Sequence, residues 1–582
     1  MTYAAPLKDM RFVLQNLVGL DRVAALPGCA HVGEELTDAI LEEAGKFAAE
    51  ILAPLNTTGD KQGARYANGA VTTPAGFKDA YAQFVAGGWN ALACDPDYGG
   101  QGLPAAVATP VEEMWQSANL SFGLCPLLTR GAVEALTLCG TDAQKTRYLH
   151  RMVEGSWTGT MNLTEPQAGS DLAAVRSRAV PDGAHFRIHG QKIFITYGEH
   201  DFTDNIVHLV LARLPDAPEG VKGISLFIVP KFLVNDDGSL GARNDVRCVS
   251  IEHKLGIHAS PTAVLAFGDN EGAYGELIGQ PNRGLEYMFI MMNAARFAVG
   301  LQGVAIAERA YQQALSYAQT RVQGTEVGVR GGPRVEIIKH PDVKRMLLDM
   351  KSRTEAMRAL AYVTAAALDA SHRHADAGER AEQLARAELL IPVVKGWCTE
   401  NAIEIASLGV QVHGGMGFIE ETGAAQHYRD ARILAIYEGT TAIQANDLIG
   451  RKLVRDNGAA AHALIAEMRA MGAPELDAAI DALAATVDWV IGIARANPRA
   501  AAASSVPVLK LLGVVVGGWQ MARTASAARA AITAGGVDAD FLRAKLATAH
   551  FYMAHILPHA SALAQIAQHG ADATLDDAAL PC

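Results

Sequence analysis

Apolar residues change their spacing twice along this chain, and that double change limits the fold more than any other feature. From Glu34 to Glu154 they recur at helical intervals, as in Ile40, Leu41, Ala44, Phe47, Ala48 and Ile51. The period then shortens. His185–His189 alternates, and residues 205–214, 223–230, 247–252 and 262–268 are short runs rich in Val, Ile, Leu and Phe, punctuated by Gly, Pro, Asn and Asp. These read as strands of a small antiparallel sheet or barrel. From Gly284 helical spacing returns (Leu285, Met288, Met291, Met292, Ala295, Val299, Gly303) and runs to about Val454. The Gly-rich interval 323–333 breaks it and reads as an exposed loop. A last helical stretch, 459–570, is Ala-rich with few turn signals. Helices, sheet, helices and a further helical module predict a mainly α fold with a central β-domain.

A chain of 582 residues is too long for one core, so several domains are expected. The periodicity divides them into an amphipathic N-terminal extension (1–33), an N-terminal helical domain (34–155), a β-domain (156–278), a helical domain (279–455) and an extra C-terminal helical domain (459–582). The net charge of −12 leaves no basic surplus for broad contact with nucleic acid. Seven scattered cysteines (29, 94, 125, 139, 248, 398 and 582) form no CxxC pair, so neither a zinc site nor a disulfide framework is expected. No signal peptide is visible in the first 20 residues, and the reading is a cytoplasmic protein. The most membrane-like run, 511–519, lies between Lys510 and Arg523. It is too short to span a bilayer and reads as a buried helix, so no membrane span is expected.

Four segments look chemical. Residues 161–171 (MNLTEPQAGSD) combine Thr164, a turn at Pro166, Gly169, and Ser170-Asp171, whose oxygens could cap a following turn. Such a loop suits a flat polar ring or a phosphate, but equally a capped connection. Residues 190–196 (GQKIFIT) place Phe194 and Thr196 on one strand face by period two. That pair could meet the edge of a flavin, or Phe194 could simply pack in the core. Residues 411–418 (QVHGGMGF) remove three Cβ atoms within four positions, as where a backbone must approach something closely. Glu438 follows the apolar run 433–437 and precedes Gly439. A carboxylate there is either a poorly hydrated base of raised pKa or a glutamate at a helix N-terminus. The Met288, Met291 and Met292 spacing reads as core. His185 and His189 fall in a strand pattern and His340 and His413 read as flavin-neighbourhood or packing residues, so no metal is expected.

In this order, over roughly residues 35–455, these segments resemble the acyl-CoA dehydrogenase family. The 163–171 and 411–418 runs are similar to its two signatures, and 254–267 (KLGIHASPTAVLAF) to its sheet segment. The resemblance implies a helical domain, a β-barrel-like domain and a four-helix bundle, with FAD between the last two and part of it reaching a neighbouring subunit. It assigns Leu163, Thr164, Phe194 and Thr196 to the flavin and Ser170 to the join between flavin and CoA. Arg321, Gln411 and Gly415 fall to a partner subunit's dinucleotide, and Thr440 to FAD beside the base. Asn293 and Arg296 fall to the acyl-CoA channel and Gly439 to the thioester. Some relatives carry their glutamate immediately before the arginine matching Arg296. Here that residue is Ala295, which leaves Glu438. The implied reaction is removal of the pro-R α-proton by Glu438 and hydride transfer to flavin, giving a trans-2-enoyl-CoA, with electron transfer flavoprotein as acceptor.

Several positions depart from the family pattern: Asn162, Gln426, Gly324, and 325–333, which looks like an insertion. The N-terminal leader and the extra C-terminal residues resemble the long bacterial branch. That branch includes 3-methylmercaptopropionyl-CoA dehydrogenases and broad-range fatty acyl-CoA dehydrogenases, and a homodimer is expected of it. Competing readings are an acyl-CoA oxidase that uses oxygen, a DNA-associated protein on the same fold, and a helical scaffold that has lost its flavin. Which acyl group is oxidised does not follow from spacing.

Overall fold

The computed structural model describes residues 3–536 and 538–580, so Cys582 lies outside the described residues. The chain divides into two compact units. One comprises Phe47–Leu103 and Ala118–Ala295; the other comprises Met1–Lys46, Pro104–Ser117 and Arg296–Cys582.

The first unit carries an eight-stranded sheet in the order Val246–Ile251, Thr262–Phe267, His185–Thr196, Ala273–Ile278, Ile224–Pro230, Asn205–Arg213, Trp157–Asn162. Arg178–Asp182 pairs with both His185–Thr196 and Asn205–Arg213. The expectation of an antiparallel sheet needs correcting, because Trp157–Asn162 pairs with Asn205–Arg213 in parallel. The intervening strands return the chain to the sheet in its original direction, and a parallel neighbour results. The two inner strands are near-continuous apolar runs because both faces are covered. Along them Val207, Leu209, Leu211, Leu226 and Ile228 enter one core, which they share with Leu128, Ala132, Met152, Met288 and Met291. The alternate residues Val210, Ala212, Phe227 and Val229 enter the other. The Leu120–Cys139 helix lies against the edge strand so closely that a Cβ on Gly159 would fall 2.5 Å from the Ala132 Cβ. Thr129 Oγ1 accepts from the Gly159 N–H at 3.1 Å across this contact. Capping sets the next helix, since Thr141 and Gln144 close a reciprocal box at the start of Asp142–Glu154.

The second unit is built on three long helices, Gly284–Thr320 (shared with the first unit), Pro341–Arg373 and Ala377–His413. The interval read as a loop is exposed, but its ends pair: Val322–Thr325 and Arg334–Glu336 form a short antiparallel hairpin. His340 Nε2 holds the Gln323 carbonyl oxygen at 2.7 Å. The 511–519 run is also longer in structure than in sequence, being the middle of a 29-residue helix, Ser505–Thr533. By length and composition this helix, Leu120–Cys139 and Gly284–Thr320 could each cross a membrane, but most of each apolar stretch is buried inside the protein. Glycines on Ser505–Thr533 face the Ala377–His413 helix, and a Cβ on Gly513 would meet the Trp397 ring at 2.3 Å.

A buried charge network ties the leader and the C-terminal helices into this unit. Arg358 donates to Asp9 at 2.6 Å, to Glu113 at 2.6 Å and to Glu308 at 2.8 Å. Lys545 donates to Glu355 at 2.7 Å and also to Asp9, and Tyr362 donates to Glu113 at 2.7 Å. Burial alone would raise the Asp9 pKa, but the Lys545 and Arg358 cations hold it well below the usual carboxylate range. Removing one member of such a group leaves buried charged donors short of an acceptor, at a cost of roughly 1–3 kcal/mol. Asp9→Ala is therefore expected to lower the first thermal unfolding transition, measured by calorimetry. Lys8→Ala, whose partner Asp538 is at the surface, is expected to leave it within about 1 kcal/mol of the parent.

Candidate active site

In the sheet unit, the 161–171 loop follows the Trp157–Asn162 strand and runs beside the end of His185–Thr196. The Ile193 N–H donates to the Thr164 carbonyl at 2.9 Å, which brings Leu163, Thr164, Phe194 and Thr196 together. The strand is irregular at Phe194. The pairing with Thr262–Phe267 shifts between Ala263 and Leu265, so Ile193 and Phe194 share a bulge. Phe194 takes a left-handed φ of +60° and is 58% exposed. Core packing is thus overturned as its role; the ring stands in the open. Thr164 and Thr196 are half-buried and Leu163 is buried beside them. Asp171 accepts from the Ala173 N–H at 3.0 Å and caps the short turn Leu172–Ala174, while Ser170 is exposed. Asn293 is exposed on its helix.

What stiffens this loop is a buried pair that spacing did not single out. Lys192 is fully buried, and its Nζ donates to the Leu163 carbonyl at 3.0 Å and to Glu165 at 2.7 Å. Glu165 also accepts from Ser177 Oγ at 2.6 Å and from the N–H groups of Arg176 and Ser177 at 2.7 and 3.0 Å. Burial would raise the carboxyl, yet Lys192 and these donors pull it down to about 2, and burial brings Lys192 down to about 8. Both therefore remain charged at neutral pH.

In the helical unit, Glu438 sits in a turn between the Arg432–Ala435 turn and the Thr441–Asp447 helix. Thr440 is the N-cap of that helix and accepts from the Ile443 N–H at 3.4 Å. Glu438 thus precedes the cap and does not lie in a first helical turn, which removes the bland reading of this residue. Its φ is +56°, followed by +89° at Gly439. For a residue with a Cβ this conformation costs about 1–2 kcal/mol, so the surroundings must impose it. Glu438 is half-buried, and desolvation pushes its pKa up to about 7 against the opposing pull of Lys395 and Arg296. Arg296 is buried, with Asp447 at 3.6 Å. Lys395 is fully buried; its Nζ donates to the carbonyls of Leu434 at 2.9 Å and Gly439 at 2.6 Å. Sequence reasoning passed over Lys395, although a lone lysine within the apolar run 389–398 was a visible signal.

The remaining expected residues of this unit lie away from Glu438. Gln411 and Gly415 are exposed at the far end of the Ala377–His413 helix, and Gln411 is roughly 24 Å along its axis from Lys395. Gly414 has φ +59°, and a Cβ on Gly417 would meet the Val410 oxygen at 2.2 Å, but Gly415 has neither constraint. Arg321 is exposed just beyond the Gly284–Thr320 helix. His413 is a packing residue: Nδ1 lies 2.7 Å from the Gly409 oxygen and the ring stacks on Tyr317 at 4.4 Å. Among the described residues no cluster of His, Cys, Asp or Glu could hold a metal ion.

Four family models match along the chain: the acyl-CoA dehydrogenase N-terminal domain (34–156), middle domain (160–269) and C-terminal domain (282–453), and the acetyl-CoA dehydrogenase C-terminal-like domain (452–577). The chain belongs to the acyl-CoA dehydrogenase family. It is an enzyme of that FAD-dependent group, an oxidoreductase acting on CH–CH bonds. It is 53% identical over 577 residues to the 3-methylmercaptopropionyl-CoA dehydrogenase of Ruegeria pomeroyi, covering 97% of each chain. It is 35% identical over 581 residues to a butyryl-CoA dehydrogenase of Syntrophomonas wolfei, covering 96% of this chain and 95% of that one. Among solved structures, an acyl-CoA dehydrogenase from Bacillus anthracis complexed with FAD superimposes with a TM-score of 0.73 at 21% identity. That match covers 94% of this chain and 90% of the other, and it supports the fold.

In a flavoprotein of this kind, loosening the 161–171 loop should be visible as lost cofactor. Lys192→Met strands the Glu165 carboxylate in the interior, which costs roughly 3–5 kcal/mol. The variant is expected to melt lower and to retain less flavin per chain, measured from the visible absorbance of the purified protein.

Proposed function

We propose that this chain dehydrogenates the Cα–Cβ bond of an acyl-CoA thioester to the trans-2-enoyl-CoA, with Glu438 as the base. The observation that carries the reading is a half-buried carboxylate whose pKa is pushed up to about 7 by desolvation, held at a left-handed φ in an otherwise well-capped turn. A carboxylate so poorly hydrated is basic enough to take a carbon-bound α-proton near neutral pH. The Glu438 N–H is assigned to the thioester oxygen, where a donor stabilises the enolate-like charge that develops as the α-proton leaves. Gly439 adjoins the thioester, and Asn293 and Arg296 line the acyl-CoA channel.

The exposed Phe194 ring, the half-buried hydroxyls of Thr164 and Thr196, and the Leu163–Thr164 main chain fit a flat, polar-edged ring system such as an isoalloxazine. When bound there, FAD supplies the acceptor for the hydride that leaves the β-carbon. Ser170 is assigned to the join of flavin and CoA, and Thr440 to FAD beside the base. Arg321, Gln411 and Gly415 are assigned to the dinucleotide of a partner subunit. Gly415 supports this, since neither its φ nor any packing among the described residues requires a glycine there. Exposed Met416, Phe418 and Ile419 beside it support a homodimer. Electron transfer flavoprotein is the proposed oxidant, and the six described cysteines, all unpaired, support a cytoplasmic setting. The proposed substrate is 3-methylmercaptopropionyl-CoA, on the strength of the relative named for it.

Glu438→Gln is expected to keep its flavin and lose turnover by about 10²–10⁴-fold; undiminished kcat would remove Glu438 from its role. Glu438 is protonated below about pH 7 and a free base above it. In the parent, kcat/KM should therefore climb with pH on the acid side and level off above about 7, as measured in a buffer series with a ferrocenium acceptor. In the same assay 3-methylmercaptopropionyl-CoA should exceed butyryl-CoA in kcat/KM. Oxygen uptake without an added acceptor should be negligible beside the rate with electron transfer flavoprotein; a comparable oxygen rate would indicate an oxidase.

A further inference from the structure

The turn that carries Glu438 runs through two successive left-handed residues, Glu438 at φ +56° and Gly439 at φ +89°. Both carbonyl oxygens of that turn are held from behind by buried side chains. Lys395 Nζ donates to the Gly439 oxygen at 2.6 Å and, at the start of the same segment, to the Leu434 oxygen at 2.9 Å. Gln444 Nε2 donates to the Glu438 oxygen at 3.0 Å and the Gly439 oxygen at 3.4 Å. Lys395 and Gln444 are both fully buried. On the other side of the turn, Tyr437 donates to Gln302, which in turn donates to Gln116 at 3.2 Å.

We propose that Lys395 and Gln444 are positioning residues for the base: together they hold the Glu438–Gly439 turn in its left-handed form, and the Lys395 ammonium is the counter-charge of the Glu438 carboxylate. This rests on Glu438 being the base. The geometry separates two effects. Each side chain fixes main-chain carbonyls, so losing either one lets the turn relax toward ordinary φ values and moves the carboxylate. Lys395 alone also brings a charge. The charged groups acting on Glu438 are Lys395 on Ala377–His413 and Arg296 on Gly284–Thr320. Burial brings Lys395 itself down to about 7; Glu438 and Glu400 on its own helix oppose that fall and favour the ammonium, while Arg296, paired with Asp447 on Thr441–Asp447, adds to it. Without the ammonium, one of two cations opposing protonation of Glu438 is lost, and the carboxyl binds its proton more tightly.

The test uses the full-length holoenzyme, with turnover expressed per bound flavin. Lys395→Met and Gln444→Met are both expected to lower kcat at least tenfold with KM for the acyl-CoA changed less than threefold. Lys395→Met is expected to move the acid limb of the kcat/KM profile up by roughly one pH unit, and Gln444→Met to leave it in place. Lys395→Gln, which keeps a donor without charge, is expected to recover part of kcat but to retain the shifted limb; it also serves if Lys395→Met does not fold. A scaffold lysine would instead lower the yield of flavin-loaded protein, with kcat per flavin and the acid limb unchanged, and that result overturns the proposal. Glu438→Gln run alongside separates the two ideas. If it is inactive while the Lys395 variants keep the parental profile, the base stands and the positioning role falls. If it turns over normally, the base assignment itself falls.

Discussion

The proposed role of Glu438 asks for a carboxylate kept short of water, and in the helical unit burial meets that demand. Desolvation lifts Glu438 to about 7, but an isolated carboxyl withdrawn from water would drift much further and stay protonated. Lys395 and Arg296 set the limit: two cations, themselves buried, oppose protonation enough to keep a usable fraction of base. Arg296 is in turn held beside Asp447, and Lys395 beside main-chain carbonyls. On the proposed assignment of Glu438 as base, the activity depends on a balance between burial and opposing charge.

The sheet unit uses the same device for a different end. Lys192, like Lys395, is buried and donates to a main-chain carbonyl oxygen, here that of Leu163 in a signature loop. Its partner Glu165 spends its acceptors on the N–H groups of Arg176 and Ser177, which close the far end of the loop. An ammonium offers three donors from a point and can satisfy carbonyls that no regular ladder reaches. Loops that leave helix or sheet to meet a ligand have such carbonyls, and a buried lysine is a compact way of satisfying them.

Much of the fold was legible because burial follows periodicity. The runs 205–214, 223–230, 247–252 and 262–268 became strands within a residue or two of their expected ends. The sheet's parallel edge was not legible, since parallel and antiparallel neighbours share a period of two. The bulge at Phe194 was not legible either: an added residue in a strand leaves no mark on a count of alternate positions. Among the candidate residues, Glu438 stood out through its apolar neighbours, Phe194 and Thr196 through strand spacing, and Thr164 and Gly415 through their loop motifs. Lys192, Glu165, Lys395 and Gln444 did not. Their importance lies in which carbonyls and N–H groups they meet, and those partners are set by tertiary packing. Lys395 and Leu434, 39 positions apart in sequence, are a case in point.

The C-terminal module matters to this balance through packing on one helix. Trp397 lies two residues beyond Lys395 and is nearly fully buried. Its ring is met by Gly513 and Gly517 of Ser505–Thr533, where a Cβ would come within 2.3 and 2.8 Å of the indole. Two glycines one turn apart allow the helices to approach closely over a bulky ring, and such contacts tolerate little displacement. The same apolar helix is flanked by Pro341–Arg373 and Ala539–His555, whose Arg358 and Lys545 share Asp9 of the leader. The two ends of the chain are thereby fastened to the helix that carries Lys395.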